Sequence, residues 1–358
     1  MKIESIIILA STIVLLMATH VYTFLYTPPS SEKAVKLVFI PQGASFNVIA
    51  RKLESEKIIS NAYKFSLLVK LKGAITNLKA GEYEFTTSMN PVEVLDMMIK
   101  GQVKDYTITI PEGYNIREVA TLLNNVNIID KEEFITLATD TIFTASLGID
   151  GNSVEGYLFP DTYRFTKGMT ADEIIKKMVQ RFNEVYSVIA FKKPTRLKMS
   201  KKQIVTLASI IEKETGDISE ATLISTVFHN RIRKRMRLES DPTVIYGIKN
   251  FNGNLTRKHL LTRTPYNTYQ IYGLPPGPIA NPGRVSLEAA ILPTSEPYLF
   301  FVSKNDGSHH FSKTLHEHNR AVYLYQKKPN KNIVKPVKKN NILNSDTYLN
   351  HDLKSEAF

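Results

Sequence analysis

The chain has 358 residues, 43% hydrophobic and 22% charged, enough to bury a core and a prior for two or three domains. It contains no Cys, which excludes disulfide staples, thiolate metal ligation and a cysteine nucleophile. Lys and Arg number 46 against 34 Asp and Glu, a formal net charge of +12 that favours an anionic partner: nucleic acid, membrane headgroups or an acidic polymer.

Residues 6–26 (IIILASTIVLLMATHVYTFLY) form an apolar run of about 20 residues, the length a helix needs to cross a bilayer core. Tyr22 and Tyr26 suit an interface at its end. A cleaved signal peptide is the rival, but its apolar region is shorter, and Ala18-Thr19-His20 is a poor cleavage site. The expectation is an uncleaved single-pass anchor in the inner (plasma) membrane. Residues 1–5 are then a short cytoplasmic end, and the rest of the chain is periplasmic or extracytoplasmic. Residues 27–35, with Pro28, Pro29, Ser30 and Ser31, read as a linker.

From Lys36 to Ile59 the pattern is strand, Pro-x-Gly turn, amphipathic helix, and it returns from Tyr106 to Ile129. Ile40-Pro41-Gln42-Gly43 matches Ile110-Pro111-Glu112-Gly113. A second echo pairs Tyr83-Glu84-Phe85 with Tyr163-Arg164-Phe165, each followed by a loop and a helix, 91–99 and 171–185. Two echoes in one order suggest a duplicated strand–helix unit of the kind used for recognition.

After a basic connection at 191–196 a helix is expected over Ser200 to Thr215, with Ser200 and Gln203 as a capping box. A second is expected over 220–235. The stretch 240–297 is rich in Pro, Gly, Asn and Thr, yet carries too many Tyr and aliphatic residues for disorder, so it reads as ordered loops. A strand at 298–303 and a last helix at 316–325 follow, and 327–358 reads as a disordered basic tail. Alternating strands and helices without regular spacing predict an α+β architecture.

Without Cys, chemistry falls to carboxylates, His, Ser and Tyr. On the 200–215 helix, Ile204, Val205, Leu207, Ala208, Ile210 and Ile211 form one apolar arc, with Glu212 and Glu214 near its opposite edges. A carboxylate at such an edge is raised in pKa by desolvation, as a general acid needs; solvation or pairing with Lys201 is the bland alternative. Periodicity does not choose between the two Glu. His316-Glu317-His318 puts its two His on different helix faces, so no metal site is expected, and none for a cofactor. The basic run 231–237 suits a helix C-terminus as well as nucleic acid, and nucleic acid is not expected as a partner.

Several segments together, VEGYLFPDTY (154–163), LASIIEKET (207–215), LESDPTVIYG (238–247), PYNTY (265–269), GLPPGPI (273–279), NPG (281–283) and His309-x-Phe311, resemble the YceG-like endolytic murein transglycosylases, the MltG family. The resemblance spans the chain from anchor to His318. It implies a membrane-anchored lytic transglycosylase of the lyase class that cuts the MurNAc–GlcNAc β-1,4 bond inside peptidoglycan strands. The cut leaves a 1,6-anhydroMurNAc end and terminates nascent strands. It further implies a LysM-like subdomain at 36–105 ahead of a YceG-like catalytic domain at 106–326, made of a second strand–helix unit (106–190) and a catalytic core (200–326). Carried over, the catalytic Glu is Glu212, one carboxyl serving first as general acid and then as base, with Glu214 a secondary candidate. Glu155, Asp241, Tyr246, Asn267, Tyr269 and His309 are candidates for substrate binding. Peptidoglycan strands and the membrane are the expected partners, with synthases or division and elongation proteins beside them. A non-catalytic peptidoglycan-binding scaffold is the alternative. A water-using muramidase would want a second carboxylate, for which Asp241 is the residue to check.

Overall fold

The computed structural model describes residues 3–327, so the tail expected at 327–358 lies, from position 328, outside the described residues. Helix α1 (Ile3–Tyr26) leads, and its segment 7–26 is long and apolar enough to cross a membrane. Two units of one design follow. In the first, β1 (Val35–Ile40), α2 (Phe46–Ser55), α3 (Ala62–Leu71) and β2 (Gly81–Thr86) close an antiparallel pair with Val38 opposite Tyr83; α4 (Pro91–Lys100) follows. In the second, β3 (Asp105–Thr109) pairs antiparallel with β4 (Thr162–Thr166), Ile108 opposite Tyr163. Between them lie α5 (Ile116–Asn125), α6 (Lys131–Ala138) and an added α7 (Thr141–Ser146), and α8 (Ala171–Ala190) follows.

The echoes in sequence have physical counterparts here. Gly43 and Gly113 both hold φ +76, a conformation that favours glycine and turns each first strand into its helix. The Tyr-x-Phe pairs stack along their strands, ring centroids 5.2 Å apart for Tyr83–Phe85 and 5.4 Å for Tyr163–Phe165. Asn90 with Glu93, Asn115 with Glu118 and Thr170 with Glu173 form capping boxes that start α4, α5 and α8.

The first unit has its own core, around Leu53, Phe65, Tyr83, Phe85 and Leu95. The core of the second unit is continuous with that of the rest of the chain, through Leu123, Phe165, Phe182, Ile211 and Leu287. At its centre runs α9 (Lys201–Glu214), capped by Ser200 and Gln203, with every residue from Ile204 to Ile211 buried. A 3-10 turn (Ile218–Glu220) leads into α10 (Ala221–Arg233). Then come α11 (Asp241–Tyr246), α12 (Arg257–Leu261), α13 (Arg284–Ile291), the hairpin β5 (Phe300–Ser303) and β6 (His309–Ser312), and α14 (Leu315–Val322), ending in a π turn at Tyr323–Lys327. Helices α10 and α13 pack on α9.

Several elements differ from expectation: α8 runs on to Ala190, the stretch 240–297 expected as loops holds α11, α12 and α13, and two further helices have other limits. The one expected over 220–235 opens with the 3-10 turn, because Asp217 accepts the Ser219 N–H, and it stops at Arg233, beyond which Arg235 turns left-handed at φ +55. The last helix is α-helical only to Val322.

Gly156 joins the second unit to the loops that follow α12. It sits at φ +86, and a Cβ there would lie 2.5 Å from Pro278 and 2.9 Å from Val205. Gly156→Ala combines left-handed strain with overpacking, each about 1–3 kcal/mol. A loss of about 2–5 kcal/mol is expected in urea unfolding of the full chain; an unchanged midpoint would show that the loop yields freely.

Candidate active site

Helix α9 ends in Glu212, Lys213 and Glu214, and their spacing sends the two carboxylates to opposite sides. Glu214 faces a cavity of about 270 Å³ whose wall includes Arg231, Glu239, Asp241, Tyr269, Phe301 and His318. Its Oε1 accepts the Ser240 hydroxyl at 2.6 Å. Burial pushes its pKa up, the Ser240 hydrogen bond draws it back, and the nearby Asp241 charge raises it further. Tyr269 donates its hydroxyl to Asp241 Oδ1 at 2.8 Å, so two of the expected residues line this wall as a pair. The Arg231 guanidinium is fixed by the Leu299 carbonyl at 2.7 Å, the Leu238 carbonyl at 3.0 Å and the Glu239 carboxylate at 3.2 Å. Glu239 holds φ +50, a strained backbone for a non-glycine residue, directly ahead of Ser240. His309 is held by Glu220, 2.8 Å from Nδ1 to Oε2.

Glu212 is half-buried on the other side, and its Oε2 accepts the Gly283 N–H at 3.0 Å. Glu112, from the turn before α5, joins it there. Burial and the Glu212 charge both raise the Glu112 pKa, and a Cβ on Gly283 would collide with the Glu112 carboxylate. Asn281 ties this turn down: the Gly113 N–H donates to its carbonyl at 3.0 Å, and its own N–H to the Tyr114 carbonyl at 2.8 Å.

Three expected substrate contacts, Glu155, Tyr246 and Asn267, are placed elsewhere. Glu155 is 3% exposed and serves the first N–H of α5, at Ile116, while also accepting the Tyr246 hydroxyl at 3.1 Å. Burial raises its pKa to about 7. Glu155 and Tyr246 thus come together, but at a separate cavity of about 810 Å³ between α5 and the loop after α11, away from Glu214. Asn267 is fully buried, and its amide nitrogen donates to the carbonyls of His259, Leu260 and Thr262. That commits it to shaping the loop around α12, not to a ligand.

Pattern reading missed Glu112, Arg231, Glu220 and Phe301. The change from Gln42 to Glu112 in otherwise matching turns was a usable signal. Arg231 lay hidden in a basic run that reads as solvated, and nothing in the sequence marks Glu220 or Phe301.

A half-buried carboxylic acid, raised in pKa and facing a cavity lined by Tyr269, Phe301 and Arg231, is the equipment of an acid–base enzyme. The chain belongs to the YceG-like family, whose family model matches residues 38–323. It is 34% identical over 313 residues to the endolytic murein transglycosylase of Bacillus subtilis (strain 168), covering 82% of this chain and 86% of that relative. To the endolytic murein transglycosylase of Streptococcus pneumoniae serotype 2 (strain D39 / NCTC 7466) it is 27% identical over 329 residues, 82% of this chain and 59% of that one. The fold matches the 2.6 Å crystal structure of a YceG-like protein from Listeria monocytogenes with a TM-score of 0.56 and 36% identity, over 81% of this chain and all of that one.

Proposed function

We propose that this protein is a membrane-anchored endolytic murein transglycosylase in which Glu214 is the general acid. The observation that carries the assignment is the placement of Glu214. Burial holds this carboxyl toward its protonated form, and unlike the raised Glu112 and Glu155 it shares a cavity with Asp241, Tyr269 and Arg231. The sequence resemblance pointed to Glu212, whose carboxylate instead caps the Gly283 N–H beside a second acid.

Protonated Glu214 delivers its proton to the glycosidic oxygen as the bond to the muramyl C1 breaks. The C6 hydroxyl of the same sugar then attacks C1, closing the 1,6-anhydro ring. This nucleophile is already part of the substrate, so no activated water and no second nucleophilic carboxylate is needed. Glu214 after donation, or a basic neighbour, takes the C6 proton. With α1 as anchor and the catalytic part on the outer side, the enzyme meets strands as they emerge from synthesis, and a cut there terminates a growing strand. Synthases and division or elongation proteins are its neighbours in that setting. The first unit, a LysM-like strand–helix–helix–strand module, recognises the glycan.

The test is mass spectrometry of peptidoglycan digested by the full chain in detergent. Internal fragments with 1,6-anhydroMurNAc ends support the reading. Reducing ends would make the protein a hydrolase, and an absence of cleavage by folded protein would make it a binding scaffold.

A further inference from the structure

The reaction proposed above leaves open where the C6 proton goes, and the inference here rests on that reading. Glu220, at the end of the 3-10 turn, makes three hydrogen bonds to one residue. Its two oxygens each accept the His309 backbone N–H at 3.0 Å, and Oε2 lies 2.8 Å from His309 Nδ1. Both side chains are nearly enclosed, 12% and 14% exposed. Such a contact over 89 residues of chain exists because the β5–β6 hairpin seats against the loop leaving α9: a Cβ on Gly216 would lie 2.7 Å from the Gly307 carbonyl oxygen, so only glycine permits the approach. Glu214 and Glu220 stand at the two ends of that loop, and His309 opens the strand laid against it. The His309 ring meets Phe301 edge-on at 5.4 Å, and Phe301 lines the Glu214 cavity.

A carboxylate only accepts, so Nδ1 carries the ring proton, and Nε2 on the far side of the ring keeps its lone pair. Among the described residues Nε2 has no hydrogen-bond partner, and it is not one of the sealed, unpartnered polar atoms. We propose that His309 is a second catalytic residue, accepting the muramyl C6 proton at Nε2, and that Glu220 is a positioning residue that fixes its tautomer. The step balances. The C6 O–H bond breaks as the O6–C1 bond forms, the C1–O4 bond breaks, and O4 leaves with the Glu214 proton. Imidazolium and carboxylate remain, and transfer of the proton from His309 to Glu214, directly or through water, restores the starting state.

The test uses full-length protein in detergent on uncrosslinked glycan strands, following anhydro ends. His309→Ala is expected to lower kcat about 100-fold or more with KM changed less than about three-fold, and exogenous imidazole is expected to restore part of kcat. Glu220→Ala is expected to lose about ten-fold in kcat, with Glu220→Gln, which keeps an acceptor oxygen, recovering part of that. If His309→Ala does not fold, His309→Gln, which refills the space beside Phe301, carries the same test. A folded His309 variant within about three-fold of the wild-type kcat, or one whose deficit lies wholly in KM, overturns the proposal. Wild-type anhydro ends that vanish in Glu214→Gln would still stand in that case, so this failure is distinct from failure of the transglycosylase reading.

Discussion

Glu214→Gln is expected to abolish the release of anhydro ends, by about 1000-fold, while Glu212→Gln keeps at least about a tenth of the wild-type rate. Glutamine occupies the volume of Glu214 and keeps an oxygen for the Ser240 hydroxyl, 2.6 Å away, so the fold has little reason to respond. It lacks only the transferable proton, and general acid catalysis contributes about 10²–10⁴ in rate. Glu212 is in the opposite position. Its visible partner is the Gly283 N–H at 3.0 Å, which an amide oxygen also accepts. Removing its charge eases the upward push on Glu112, whose pKa burial and Glu212 together raise. Quantifying anhydro ends by mass spectrometry for both variants decides between the carboxylates. The reverse ranking would move the acid to the Glu112–Glu212 pair and leave the Glu214 cavity a binding role.

The apolar arc of α9 was legible from its helical spacing, and Ile204, Val205, Leu207, Ala208, Ile210 and Ile211 are all fully buried, but the burial of Thr206 and Ser209 between them, each bonded to a carbonyl of its own helix, was not. The repeat was legible because the strand–turn–helix grammar needs the same turn glycine and Tyr-x-Phe stack in both units. The choice between Glu212 and Glu214 was not legible, since it depends on Ser240, Arg231 and Asp241, which arrive from other elements. Loops carry no period, so a polar residue there shows no sign of facing a ligand or the backbone. Glu155 and Asn267 read like Asp241 and Tyr269 in the sequence, yet the first pair serves N–H and C=O groups of the chain and the second lines the cavity that Glu214 faces. Arg231 reads as one of several surface cations, but only its neighbours in the run stay outside. Its carbonyl partners at 299 and 238 belong to segments that come together only in the fold.

Glu155 gives the second large effect, on stability and its pH dependence. Its carboxyl is fully buried, and its pKa is raised from 4.5 to about 7, first by burial, with the Ile116 N–H and Tyr246 hydroxyl opposing. Below pH 4.5 it is protonated in both folded and unfolded chains. As the pH rises toward 7 the unfolded chain releases this proton and the folded chain keeps it, so the folded state binds more protons and stability falls. Above about pH 7 the folded carboxyl ionises as well and the loss levels off. At about 1.4 kcal/mol per pH unit the total is about 3 kcal/mol. Other raised carboxyls, Glu112 and Glu214 among them, add slopes of their own, so the measurement is a difference. Urea unfolding energies of wild type and Glu155→Gln are compared from about pH 4.5 to about pH 8. The gap is expected to change by about 3 kcal/mol in favour of the glutamine variant over that window, because the amide has no proton to lose. Parallel curves would mean that Glu155 ionises in the fold as it does in water. The same ionisation bears on the site, since the Tyr246 hydroxyl on Glu155 anchors one end of α11 and Asp241, facing Glu214, begins the other.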